Sequence, residues 1–132
     1  MGDSDMTKAA ALYAFFSSFG IPAYEENSVP TGEEGGAPPF PYLTYELITD
    51  SFGADVPISF SIWYCSTSWT EANQKESEIS AYIGRGGVHI ACDGGSIWIK
   101  RGTPWAHRMG DDSDEMVKRI YMNLSVDFWT ED

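Results

Sequence analysis

Val117-Lys118-Arg119-Ile120-Tyr121-Met122-Asn123-Leu124-Ser125-Val126-Asp127-Phe128-Trp129 is the stretch on which the fold turns. Ile120, Met122, Leu124, Val126 and Phe128 occupy every second position, and period-two alternation sends all five side chains to one side of a β-strand. Five apolar residues in strict alternation predict a central, well-buried strand from about Val117 to Trp129. Working back along the chain, Ile58, Phe60, Ile62 and Tyr64 alternate in the same way within Val56 to Thr67, as do Leu43, Tyr45 and Leu47 within Tyr42 to Asp50. Asp50-Ser51-Phe52-Gly53-Ala54-Asp55 can turn the chain between those two, so they pair as antiparallel neighbours. Val88 to Cys92 and Ser96 to Arg101 flank Asp93-Gly94-Gly95, a turn that hairpins favour because glycine takes positive φ without strain.

Two helices interrupt the strands. Ala9, Leu12, Phe16 and Phe19 recur at helical spacing along one face, with Ser4 or Asp5 as the expected cap, Gly20 as the stop and Pro22 forbidding continuation. Ser68 to Glu71 has the capping-box pattern and opens a second helix with Trp69, Ala72, Ile79 and Ile83 as its buried stripe and Gly84 as its end. The segments Asn27 to Pro41 and Gly102 to Asp114 read as long loops of the kind that carry function. A short additional strand fits near Ala23 to Glu26. The pattern predicts one α+β domain over residues 1–132, with a mostly antiparallel sheet of about five strands and both helices packed on one face.

The 132 residues include 42% hydrophobic and 14% aromatic side chains, enough to bury a core, and a formal net charge of −12. That acidity argues against unaided nucleic-acid binding, which needs clustered cations. The charge is uneven: residues 1–74 hold one cation, Lys8, against ten acids, and the remainder holds seven cations against ten acids. Two cysteines make no disulfide scaffold, and a reducing compartment is expected. The apolar run Ala9 to Phe19 lacks the positive flank of a secretory signal and is too short to span a bilayer.

The sequence carries no clear catalytic or metal-binding motif. Cys65, His89, Cys92 and His107 include two residues three apart on one strand, which leave opposite faces, so no metal is expected. Gly84-Arg85-Gly86-Gly87 follows a helix instead of preceding one and lacks the lysine of a phosphate loop. The acidic run Asp111 to Glu115 has neither the central glycine nor the distal glutamate of a calcium loop. Neither histidine adjoins a nucleophile elbow. The expectation is a protein without catalytic residues or cofactor. Five Trp, seven Tyr and seven Phe are many for one small core, and Trp63 and Trp98 fall on the strand faces opposite Ile62 and Ile97. They fit either a second core layer or surfaces covered by another subunit.

The order of parts resembles the small tail terminator, or tail-completion, proteins of long-tailed bacteriophages and prophages, over nearly the whole chain. The residues that carry it are the opening helix Met6 to Phe19 with Gly20-Ile21-Pro22-Ala23-Tyr24, then Pro41-Tyr42-Leu43-Thr44-Tyr45-Glu46, then Trp69-Thr70-Glu71-Ala72. Trp98-Ile99-Lys100-Arg101-Gly102-Thr103-Pro104 and Lys118-Arg119-Ile120-Tyr121-Met122-Asn123-Leu124 look like phage head-tail joining proteins of Gram-positive hosts. The resemblance implies a structural protein of the virion tail, assembled in the bacterial cytoplasm. It would form a ring, usually of six copies, that caps the head-proximal end of the tail tube, stops its polymerisation and joins it to the head connector. The implied partners are further copies, the tail tube protein and the head-tail connector protein, with no membrane and no sequence-specific nucleic acid, although DNA would pass through the ring.

On that reading Trp63 and Trp98 contribute to subunit packing, while the two long loops, with Glu33 and Glu34 in the first and Trp105 and Arg108 in the second, reach partners together with Trp129. Arg85, Arg101, Arg108 and Arg119 would pair across subunits with the acidic first half. Two other readings stand beside it: a head-closure or other neck protein, and a ligand-binding domain that stacks Trp105 and Trp129 on a sugar or base.

Overall fold

The computed structural model describes residues 6–31, 36, 38–111 and 113–131. Helix α1 runs over Lys8–Ser17 and is followed by strand β1 (Ala23–Glu25), a 3-10 turn (Glu26–Ser28), β2 (Tyr42–Tyr45) and β3 (Val56–Cys65). Helix α2 (Thr70–Ile83), β4 (Val88–Cys92), β5 (Gly95–Asp111) and β6 (Asp114–Thr130) complete the chain. One six-stranded sheet has the spatial order β1-β2-β3-β6-β5-β4, antiparallel throughout except for the parallel β1–β2 pair. The architecture is α+β, with six strands in place of about five because β1 adds to the sheet edge.

The strand expected to be central is central. β6 lies between β3 and β5, and Ile120, Met122, Leu124, Val126 and Phe128 are all buried on one side. Ile58, Phe60, Ile62 and Tyr64 of β3 and Ile97 and Ile99 of β5 join them. Both helices cover this face. α1 contributes Ala11, Leu12, Phe15 and Phe16 and lies against β1 and β4, whereas α2 contributes Ala72, Ile79 and Ile83 and lies against β3, β5 and β6. Lys75 of α2 ties the helices together by donating to the carbonyl of Phe19, 2.7 Å away, in the chain leaving α1. Among the described residues no helix is long and apolar enough to cross a membrane.

Four local expectations are corrected. α1 is capped by Thr7, whose hydroxyl accepts the Ala10 amide at 3.1 Å, while Ser4 and Asp5 lie outside the described residues. α2 lacks a capping box: Trp69 is its N-cap without a side-chain bond, and the Ser68 hydroxyl accepts the amide of Thr70. β2 stops at Tyr45, because the Glu46 carboxylate takes the Ser59 amide at 3.1 Å and the Ser59 hydroxyl at 2.9 Å, and Leu47 then faces solvent.

The largest correction concerns Gly102 to Asp114, which is not a loop. β5 and β6 are each 17 residues long and form one hairpin that reaches Asp111 and Asp114. Between the pairs Arg101↔Leu124 and Ala106↔Met122 the ladder shifts register, so Gly102 to Trp105 bulge out opposite Asn123. The Asn123 amide donates to the Pro104 carbonyl at 3.0 Å and holds the bulge in place. A bulge also suits a proline, which has no amide to give to a ladder.

Candidate functional site

The helices close one face of the sheet and leave the other open. At one end of the open face Trp63 of β3 lies parallel to Tyr42 of β2, with ring centroids 5.9 Å apart and planes 12° apart. Arg119 of β6 places its guanidinium 4.6 Å from the Trp63 ring and donates through Nε to the Ser61 hydroxyl at 3.0 Å. The Trp63 indole donates to the Thr44 hydroxyl at 2.9 Å, which fixes the ring. Arg119 also lies 5.5 Å from Tyr121, whose ring meets His107 edge-on at 5.3 Å. Burial pushes the Tyr42 phenol above its ordinary pKa, and the Arg119 charge opposes that shift.

A second stack occupies the other end. His89 of β4 and Trp98 of β5 are cross-strand partners with ring centroids 5.3 Å apart and planes 6° apart, and Lys100 Nζ sits 4.4 Å over the indole. The Trp98 indole donates to the Gly86 carbonyl at 2.8 Å. Gly87 has φ +77, and a Cβ there would lie 2.5 Å from the Ile99 carbonyl and 2.8 Å from the indole nitrogen, so only glycine fits. Lys100 also pairs with Asp127 at 3.1 Å. The backbone amide of Asp55, with help from Lys100, holds the Asp127 carboxyl below its ordinary range. Trp63 and Trp98 lie opposite Ile62 and Ile97 on their strands and the register puts them on one face, yet they are not neighbours. Their β6 partners are Arg119 and Asp127, about 27 Å apart at ~3.4 Å per residue.

Trp105 and Arg108, expected to reach partners from the second loop, are engaged with α2 and with Trp69 just before it. Trp105 donates its indole N–H to Glu76 of α2 at 2.7 Å and sets its ring 6.2 Å from Phe60, packed against the core. Arg101 donates to the Ser80 hydroxyl at 2.8 Å. Arg108 lies 5.3 Å over the ring of Trp69, with Lys118 at 5.8 Å from the same ring. These groups clamp the hairpin to α2. Comparison with family models, curated proteins and solved structures finds no match.

Trp129 is 60% exposed at the far end of β6, where it lines a cavity of about 370 Å³ with Phe52, itself 75% exposed and held at φ +53. Glu33 and Glu34 lie outside the described residues. Arg85 is exposed just beyond α2. Among the described residues the ion pairs are those of Lys75 with Glu78 and of Lys100 with Asp55 and Asp127.

Sequence reasoning missed Tyr42 as the partner of Trp63, His89 as the partner of Trp98, and Phe52. The first two follow from cross-strand register, which the alternation alone does not supply. Phe52 was legible only as an aromatic in a turn. Among the described residues no group of three or more His, Cys, Asp or Glu gathers as metal ligands would. Cys65 and Cys92 are both free, and burial raises the Cys92 thiol pKa, which disfavours its thiolate. The open face displays flat rings and cations, with Trp63, Trp98 and Arg119 held in place by hydrogen bonds.

Proposed function

We propose that the chain is a structural assembly subunit, a tail terminator whose copies form a ring that caps the head-proximal end of a phage or prophage tail tube and joins it to the head connector. The observation that carries this reading is the open sheet face, which displays two preformed aromatic and cationic stacks, while the outer edge of β5 beyond Ile99 has no strand partner among the described residues. Rigid aromatic and arginine groups are what protein interfaces use as anchors, and an unpaired edge is a template for another chain. A head-to-tail contact that closes uses up its own sticky surface and presents a different one outward, which is how a ring can end a polymer. The strong net acidity suits a lumen through which DNA passes without adhering.

The resemblance in the order of parts supplies the identity of the partners, and the open face supplies the means of holding them. The test is deletion of the gene from the element that encodes it, followed by electron microscopy. Tails of abnormal, uncontrolled length are expected, and tails of normal length joined to heads would contradict the reading. The cavity between Phe52 and Trp129 favours a second reading, a ligand-binding domain, whose mark would be Trp129 fluorescence that responds to a small aromatic or sugar ligand.

A further inference from the structure

Where β5 leaves the cover of β4, an open cavity of about 360 Å³ is lined by Arg85, Lys100, Arg101, Gly102, Thr103 and Trp105. Three of the chain's eight Lys and Arg residues meet there, with no carboxylate among the described lining residues, in a protein of net charge −12. Three elements assemble it. Arg85 comes from the break after α2, Lys100 and Arg101 from β5, and Thr103 and Trp105 from the bulge. Lys100 is already engaged by Asp127 and one Arg101 N–H by Ser80, so among the described residues the two guanidiniums keep most of their five donors each for something else. Trp105, fixed by Glu76, forms a rigid wall.

The complementary surface is on the same chain. The β5–β6 hairpin ends in Asp111, Asp114 and Glu115, all exposed, beyond the point where β3 stops pairing at Cys65↔Val117. Two hydrogen bonds from Ser113 hold the Asp111 carboxyl below its ordinary range, so it is charged at neutral pH. The tip cannot enter its own cavity. Gly102 and Asp111 are nine residues apart on one strand, about 30 Å at ~3.3 Å per residue, and a paired strand does not fold back on itself.

We propose that the cavity lined by Arg85, Arg101 and Trp105 receives the acidic hairpin tip, through Asp111, Asp114 and Glu115, of a neighbouring copy of this chain. Carboxylates on guanidiniums form charge-assisted, often bidentate bonds with defined geometry. Cavity and tip are different surfaces, so the contact is heterologous and repeats head to tail, as a ring needs. The inference rests on the assembly reading above and names the contact that would close it. Nucleic acid phosphates are the competing occupant, disfavoured by the overall negative charge.

The experiment is a charge swap read by light-scattering mass. One variant carries Arg85→Glu with Arg101→Glu, a second carries Asp114→Lys with Glu115→Lys, and a third carries all four changes. The wild type is expected to give a closed oligomer, each two-site variant the 14.6 kDa monomer with unchanged circular dichroism, and both the four-site variant and an equimolar mixture of the two-site variants the oligomer again. A four-site chain that is folded but monomeric overturns the proposal. A wild-type oligomer that neither two-site variant disturbs overturns the contact alone and leaves the ring standing, and loss of duplex DNA retention in the first variant would then assign the cavity to phosphates. A wild type that is monomeric at every concentration overturns both the contact and the ring.

Discussion

The two halves of the β5–β6 hairpin have the same secondary structure and opposite surroundings. In the base, Ile97 and Ile99 face Phe128 and Val126 across the ladder, all within 1% of full burial beneath the helices. In the distal half, Thr103, Pro104 and His107 to Asp111 are exposed, and what holds the strand is its ladder with β6 plus three grips on α2, from Trp105, Arg101 and Arg108. One half is a strand because its side chains must leave water. The other is a strand because its neighbour already is one. The difference teaches that the burial which stabilises the fold and the surface available for partners are divided along a single pair of strands.

The sharpest way to break the comparison is to damage the base. Phe128→Ala is expected to cost about 3 to 5 kcal/mol in denaturant unfolding, since it removes a fully buried ring and leaves a cavity. A loss below 1 kcal/mol would mean that the base does not carry the fold. Trp105→Ala tests the grip on α2. The ring is half-buried, so about 2 kcal/mol is expected, roughly half the figure for a fully buried aromatic, with amide exchange faster in 101–111 and unchanged in 95–99. Equal acceleration in both segments would show that the halves are one cooperative unit.

Arg108→Ala removes a cation lying over Trp69 and should cost only about 0.5 kcal/mol at this exposed site. The smallest effect concerns pH. The Asp127 carboxyl is held low in the folded protein by the Asp55 amide and Lys100, so its contribution is fully present above the ordinary aspartate pKa of 3.8 and is lost as pH falls through the depressed folded value. Asp127→Asn should flatten that acid limb and leave the neutral region's slope alone. An unchanged acid limb would place the titrating group elsewhere.

The legibility of the molecule follows the same division. The five alternating residues of β6, the stripe Ala72, Ile79 and Ile83 of α2, and the Asp93-Gly94 turn of the β4–β5 hairpin were all readable, because each expresses a periodicity or a backbone requirement within a few residues. The distal half of β5 was not, because Gly102 and Pro104 signal a break, and the bulge that accommodates them depends on Asn123, nineteen positions from Pro104. For the same reason the contacts of Trp105 with Glu76 and of Arg108 with Trp69 were not legible. Alternation put Trp63 and Trp98 opposite Ile62 and Ile97, but that they share one face, and that Tyr42 and His89 are their partners, required the register. The aromatic surplus was visible in composition; its division into two stacks, whose β6 partners Arg119 and Asp127 lie about 27 Å apart along the strand at ~3.4 Å per residue, was a matter of pairing.

Absolute mass by light scattering after size exclusion, over a wide range of protein concentration, tests the central claim that this chain is built to join copies of itself. A discrete closed oligomer whose mass does not grow with concentration is the predicted result. A 14.6 kDa species throughout the range would contradict it.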